Sequence, residues 1–230
     1  LHNEDTRTVL VDANLQFGDV AVFVNEQGKN TILELAPRVD ELDPDLVEEI
    51  LIKHDASGVR ILAAPQRPES AEKVSPEQFT RVLKFLQRMY SYVVVDTSTN
   101  LTDMILSTFD ISDVIVLVTT QEIPAIKNAR LFLDLLHTIG ITKEHVVFVM
   151  NRYDKKITIT PQRVSDNLKH EVSVIIPLDG KVAVAAVNRG VPFMLDNKSQ
   201  PVGRGIFSLA QAVRAKLNEL ESHSHAAVKR

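Results

Sequence analysis

The chain has 230 residues, 44% of them hydrophobic, no cysteine and a formal net charge of −4 at pH 7. This length holds one large α/β domain or two small ones and buries a sizeable core, which excludes a disordered chain. The lack of cysteine excludes disulfides, thiolate metal sites and a cysteine nucleophile and fits a reducing compartment, while acidic charge spread along the chain argues against an extended phosphate-backbone footprint.

The first apolar run, TVLVDA (8–13), reads as a strand that ends on Asp12. VRILAAP (59–65) is the next. A helix is predicted over 75–90, where Phe79, Val82, Leu83, Leu86 and Met89 recur at helical spacing behind Ser75 as cap and Pro76 in the first turn. YVVVDT (92–97) reads as a strand ending on Asp96, and DVIVLVTT (113–120) as another. A second helix spans 123–139, between Pro124 near its start and Gly140 at its end. HVVFVMN (145–151) reads as a strand ending on Asn151, followed by VSVIIP (172–177). The last helix, 202–221, carries Ile206, Leu209, Val213, Leu217 and Leu220 on one stripe. The strands are nearly continuous in Val, Ile and Leu, as strands covered on both faces should be. The fold class is therefore α/β, a mostly parallel sheet with helices on both faces.

One domain is read over 1–221, with 222–230 as a frayed, solvated tail rather than a metal site built on its histidines. No apolar run approaches the roughly 18–20 residues of a membrane-spanning helix. The start, LHNEDTRT, is too polar for a signal peptide, and a first residue of Leu rather than Met suggests a processed chain or a piece of a longer one.

In such folds ligands sit outside the carboxyl ends of the strands, where this sequence places Asp12, Asp96 and Asn151. A single strand-end Asp commonly just caps the next helix; several polar strand ends together point to a site. A phosphate also needs a cradle of backbone N–H groups, usually G-x-x-x-x-G-K-[ST]. Only Gly28 and Gly180 precede a lysine; Phe23 and Ile175 stand where the first glycine should be, and neither lysine is followed by Ser or Thr. These residues therefore contain no Walker A loop. GKNT (28–31) is a superficial echo with no strand before it.

The ordered set TVLVDANLQFGDVAVFVN, VRILAAPQRPESAEKVSPEQF, YSYVVVDTST, DVIVLVTTQEIPAIKNARLFLDLL, VFVMNRYD and VIIPLDGKVAVAAVNRGVPF resembles the MinD/ParA-type (deviant Walker A) P-loop ATPases over roughly 7–221. LQFGDVAVFVN looks most like the CpaE/TadZ branch, which acts in Flp-type pilus assembly. The resemblance implies ATP or ADP with Mg²⁺ as cofactors. It implies Asp96 as a metal holder acting through water, and Asp12 as a second metal-side and switch residue. Asn151 and Arg152 fall at adenine contacts, and Pro177 and Asp179 begin the loop that closes over the base. Alternatively, Asn151 is a turn residue, Pro177 a strand terminator and Gly190 a helix C-cap.

Two departures from the family pattern stand out. The deviant Walker A motif, K-G-G-x-G-K-[ST], is expected before Leu1 with its own strand, which makes LHNEDT the end of the following helix. The family places that strand between 93–96 and 114–118, so these two strands are expected not to pair directly. The D-x-D of the switch here reads Asp12-Ala13-Asn14. Asn14 takes the water-orienting catalytic position, and an amide there neither accepts a proton nor supplies charge, so hydrolysis is expected to be slow or absent. Without the loop, ATP binding by these residues is expected to be weak. The family's nucleotide-bridged homodimer is expected only when the loop is present.

The leading functional reading is a nucleotide-dependent positioning or assembly regulator in the cytoplasm. Protein partners of a pilus-assembly or polar-localisation machinery would bring it to the inner membrane face or cell pole. Alternatives are a ParA-like partitioning ATPase, a MinD-like cell-division ATPase, or a scaffold that no longer hydrolyses. The basic residues Arg152, Lys155, Lys156, Arg189 and Arg204 make a thin cluster for DNA, and the last helix reads as core rather than as a basic membrane-surface helix.

Overall fold

The computed structural model describes residues 6–26 and 28–228, with side chains as far as 223. The segment LHNED and the expectation placed on it lie outside the described residues. The chain divides into two compact units, Leu1–Ile111 with Val184–Leu195, and Ser112–Ala183 with Asp196–Arg230. The alternation of strands and helices, which reads as one domain, does not announce this division.

The first unit is built on a four-stranded sheet of order β2-β3-β1-β4. Its strands are β1 (Thr8–Asp12), β2 (Ile52–Lys53), β3 (Arg60–Leu62) and β4 (Tyr92–Asp96). β1 runs parallel to both neighbours, while the two-residue β2 is antiparallel and was not predicted. Short helices α1 (Val20–Phe23), α2 (Ile32–Leu35) and α3 (Pro44–Ile50) fill the crossover from β1, α4 (Pro76–Met89) leads into β4, and α5 (Asp103–Asp110) follows it. Val9, Val11, Phe79 and Leu86 are fully buried. The start of α4 is set as the sequence predicts. Ser75 Oγ accepts from Gln78 N (3.1 Å), Gln78 Oε1 accepts from Ser75 N (3.0 Å), and Pro76 occupies the first turn.

The second unit carries a parallel three-stranded sheet of order β5-β6-β7, namely Ile115–Thr119, Val146–Tyr153 and Val174–Pro177. Helices α6 (Ile123–Thr138) and α7 (Pro161–Leu168) connect its strands. Gly140, at φ +86, takes the left-handed turn after α6 that only glycine adopts without strain. Phe148 and Met150 are fully buried against Ala129 of α6 and Val164 of α7. Helix α8 (Gly180–Arg189) and the short α9 (Phe193–Asp196) are divided between the units. The last helix, α10 (Pro201–Val228), packs on β7, and a Cβ on its Gly205 would lie 3.1 Å from the Ile176 backbone.

Two expectations need correction. α10 continues to Val228, through most of the stretch read as a frayed tail; no Gly or Pro interrupts 206–228, so nothing local stops the helix. The apolar strands are not all covered, for Val94 of β4 is 40% exposed and Val118 of β5 is 52% exposed. Among the described residues β4 pairs only with β1 and β5 only with β6, so each is an edge strand of its own sheet. An edge lacks a neighbour on one side, so part of its apolar surface stays open however apolar the run.

Phe148, at the centre of the second unit, offers a direct test. Phe148→Ala is expected to destabilise that unit by about 3–5 kcal/mol, read as a lower urea midpoint by circular dichroism.

Candidate functional site

In the first unit, parallel pairing puts Asp12 directly opposite Asp96, with Ala13 N donating to Asp96 O (2.8 Å). The two carboxylates therefore share one end of the sheet. Asp12 is only 2% exposed. Its Oδ1 accepts from Asn14 N and its Oδ2 from Val20 N, each at 3.1 Å. Val20 opens α1, whose own N-cap residue Asp19 makes no side-chain cap, so Asp12 caps that helix from the strand end. The chain can fold back this closely because residue 18 is glycine: a Cβ there would lie 2.4 Å from Asp12 Oδ2 and 2.4 Å from the Ala64 Cβ. Asn14 Nδ2 donates to Phe17 O (2.8 Å) and closes the turn leading to Gly18.

Burial raises the Asp12 carboxyl above the usual carboxylate range; the two N–H donors oppose this, and the negative charges of Asp96 and Asp19 add to it. Asp96 is more open to solvent, yet partial desolvation raises its carboxyl too. No group of three or more His, Cys, Asp or Glu able to hold a metal exists among the described residues. The donor set nevertheless fits Mg²⁺, which keeps several waters and needs only one or two carboxylates. Asp96 is the open one. Both Asp12 oxygens are already engaged by N–H groups, so direct coordination through Asp12 would break one of those bonds, whereas a water-shell role would not.

The second unit holds the remaining candidates together by the β6–β7 ladder. Its register shifts between Met150 and Tyr153, which pairs with Pro177. Arg152 absorbs the irregularity with φ 53, in the left-handed region. Asn151 Oδ1 accepts from Arg152 N (2.8 Å), and Leu178 N donates to Tyr153 O (3.0 Å). Asp179 Oδ1 accepts from Val182 N (3.1 Å), so Asp179 also caps the first turn of α8. Asn151, Arg152, Pro177 and Asp179 therefore come from two adjacent strand ends. Gln121, just past β5 and missed in the sequence, is 5% exposed and bonds the loop after β6 at two points. A lone Gln after a strand carries no pattern that would have flagged it.

Gly28 lies between α1 and α2 with no strand before it; Gly180 does open a helix just after β7, but Ile175 stands where the first glycine of a phosphate loop should be and Val182, not Ser or Thr, follows Lys181. Of the basic residues weighed for DNA, Arg189 Nε donates to Ala185 O (3.2 Å) and Arg204 Nη1 to Ser199 O (2.6 Å). No described helix is long and apolar enough to cross a membrane.

No family model matches the chain. The septum site-determining protein MinD of Thermotoga maritima is 24% identical over 221 residues, covering 94% of this chain and 80% of that protein. A ParA family ATPase of Chlorobium tepidum shares the fold with a TM-score of 0.84 at 18% identity, over 90% of this chain and 88% of that one. MinD of Pyrococcus horikoshii, solved in complex with Mg-ADP, has a TM-score of 0.76 at 20% identity, over 90% of this chain and 83% of its own. The α/β fold is that of the MinD/ParA-type P-loop NTPases, and the sequence similarity supports the same superfamily; the CpaE/TadZ branch is not among these matches.

Two stability measurements test the carboxylate pair. Gly18→Ala is expected to cost about 1–3 kcal/mol, because the new methyl must push the loop off Asp12. The carboxyls of Asp12 and Asp96 are raised in the folded state, so that state holds their protons more tightly than the unfolded chain does. Their effect on stability is most favourable at acid pH and is lost as pH rises from the ordinary value of 3.8 through the raised folded values. Asp96→Asn removes that loss and is expected to raise the urea midpoint at pH 7 in metal-free buffer while leaving it nearly unchanged at pH 3.

Proposed function

We propose that this chain is a nucleotide-dependent positioning switch of the MinD/ParA kind, which takes ATP or ADP with Mg²⁺ and hydrolyses slowly or not at all. The observation that carries the reading is the pair Asp12 and Asp96 on neighbouring parallel strand ends, beside a switch turn in which Asn14 replaces the second acid and spends its amide on Phe17. Two like charges, both with raised carboxyls, favour a bound cation that offsets their repulsion. When bound, Mg²⁺ supplies charge neutralisation for phosphate oxygens. Asp96 would hold it through water, and Asp12 would keep the switch loop folded beside it. Asn151, Arg152, Pro177 and Asp179 would contact the base. The Mg-ADP complex of the Pyrococcus horikoshii relative supports this cofactor choice.

The finer reading is the pilus-assembly branch, supported by the LQFGDVAVFVN stretch and by Asn14. In it the protein works in the cytoplasm, brought to the inner membrane face or cell pole by protein partners. Division-site positioning is the second reading, favoured by the match to a septum site-determining protein over 94% of the chain. The last helix argues against direct membrane binding in either case, because α10 lies on β7 and its stripe is half-buried.

Titration of ADP into the chain, followed by NMR, tests the nucleotide reading. Binding is expected to be weak, because G-x-x-x-x-G-K-[ST] is not in these residues, to be strengthened by Mg²⁺, and to lose that Mg²⁺-dependent part in Asp96→Ala. ADP binding unaffected by chelator in the parent chain would overturn it. In a chain that also carries the K-G-G-x-G-K-[ST] loop, ATP turnover is expected to rise in Asn14→Asp, by up to the roughly 10²–10⁴-fold typical of a positioned acid–base group; a variant no faster than its parent would overturn the role of this position.

A further inference from the structure

We infer that Gln121 is the positioning residue of the base-contacting loop: its buried amide fixes the segment after β6, so that Asn151 and Arg152 keep one geometry. The inference rests on the base-site role proposed above for Asn151 and Arg152. A buried amide is tolerated when its donor and acceptor are both used. Gln121 Nε2 donates to Ile159 O (2.7 Å), and Gln121 Oε1 accepts from Asp154 N (2.6 Å). One side chain thus grips both ends of the 154–159 loop from the neighbouring strand end.

The grip falls where the backbone needs it. Arg152 sits at φ 53, a conformation that costs a residue with a Cβ and must be held by its surroundings. On its N-terminal side Val149 and Met150 are held in the ladder by Val174 and Ile175. On its C-terminal side Tyr153 O accepts from Leu178 N, and the next residue, Asp154, is anchored by Gln121. The loop adds local turns of its own, Ile157 N to Asp154 O (3.1 Å) and Lys156 N to Asp154 Oδ1 (2.9 Å), and Arg163 Nη1 of α7 donates to Thr158 O (3.3 Å), away from the Asp154 end. Ile159 packs against the Phe148 cluster, so Gln121 also ties the far end of the loop to the core. Without Gln121 the residue after the ladder has no anchor from outside the loop, and the kink at Arg152 relaxes.

The test is Gln121→Met, close in length but without either hydrogen bond, in the full chain labelled with ¹⁵N. The unliganded variant is expected to shift or broaden the amides of Asn151, Arg152 and Asp154 while Val9 and Val11 in the first unit and Phe148 in the second stay in place. Its affinity for Mg-ADP is expected to fall about tenfold, with Mg-pyrophosphate, which has no base, bound as in the parent. Unchanged Asn151 and Arg152 amides, or equal losses for ADP and pyrophosphate, would overturn the positioning role. If Phe148 also moves in Gln121→Met, Gln121→Glu, which keeps an acceptor for Asp154 N, is compared in the same way. A parent chain whose Asn151 and Arg152 amides ignore ADP would instead overturn the base-site reading, whatever Gln121→Met does to the unliganded loop.

Discussion

Parallel pairing is the constraint on which both clusters depend. Parallel strands bring all their carboxyl ends to one edge of a sheet, so side chains far apart in sequence meet there without any helix or loop being shaped for the purpose. The β1–β4 ladder sets Asp12 opposite Asp96, and the β6–β7 ladder sets Tyr153 opposite Pro177. The buried Val and Ile residues beneath these ends supply the stability, while the desolvated carboxyls of Asp12 and Asp96 lower it at neutral pH.

The Asp12 carboxylate shows how that loss is contained. A buried, like-charged acid is unfavourable in isolation. Here two backbone N–H groups compensate it, one of them an orphan donor at the start of a four-residue helix too short to stand alone. The acid and the helix therefore stabilise each other, and Gly18 is the steric condition for the arrangement. The same engagement makes the loop from Asn14 to Val20 sensitive to the charge at Asp12, which is the property a switch loop needs.

The second unit solves a different problem with different means. Its candidate residues sit on a ladder irregularity rather than on a buried charge, so their placement is a matter of backbone geometry. The register shift, the left-handed Arg152 and the anchors on either side of it turn the end of β6 out of the regular pleat.

The sequence by itself determined the α/β class, six of the seven strands, the capped start of α4, and which polar residues end the strands. These are local properties: apolar runs, helical spacing and cap chemistry act over a few residues and leave their pattern in the chain. It also carried the superfamily resemblance, through the order of several motifs. Tertiary structure alone decided the rest. The division into two units and the course of α10 over β7 depend on which surfaces find partners. The occupied state of Asp12, the steric need for glycine at 18, and the role of Gln121 depend on atoms brought together by folding from distant residues. A buried Gln or a close-approach Gly looks the same in sequence as an exposed one, because only the folded chain supplies the neighbour that gives it a function.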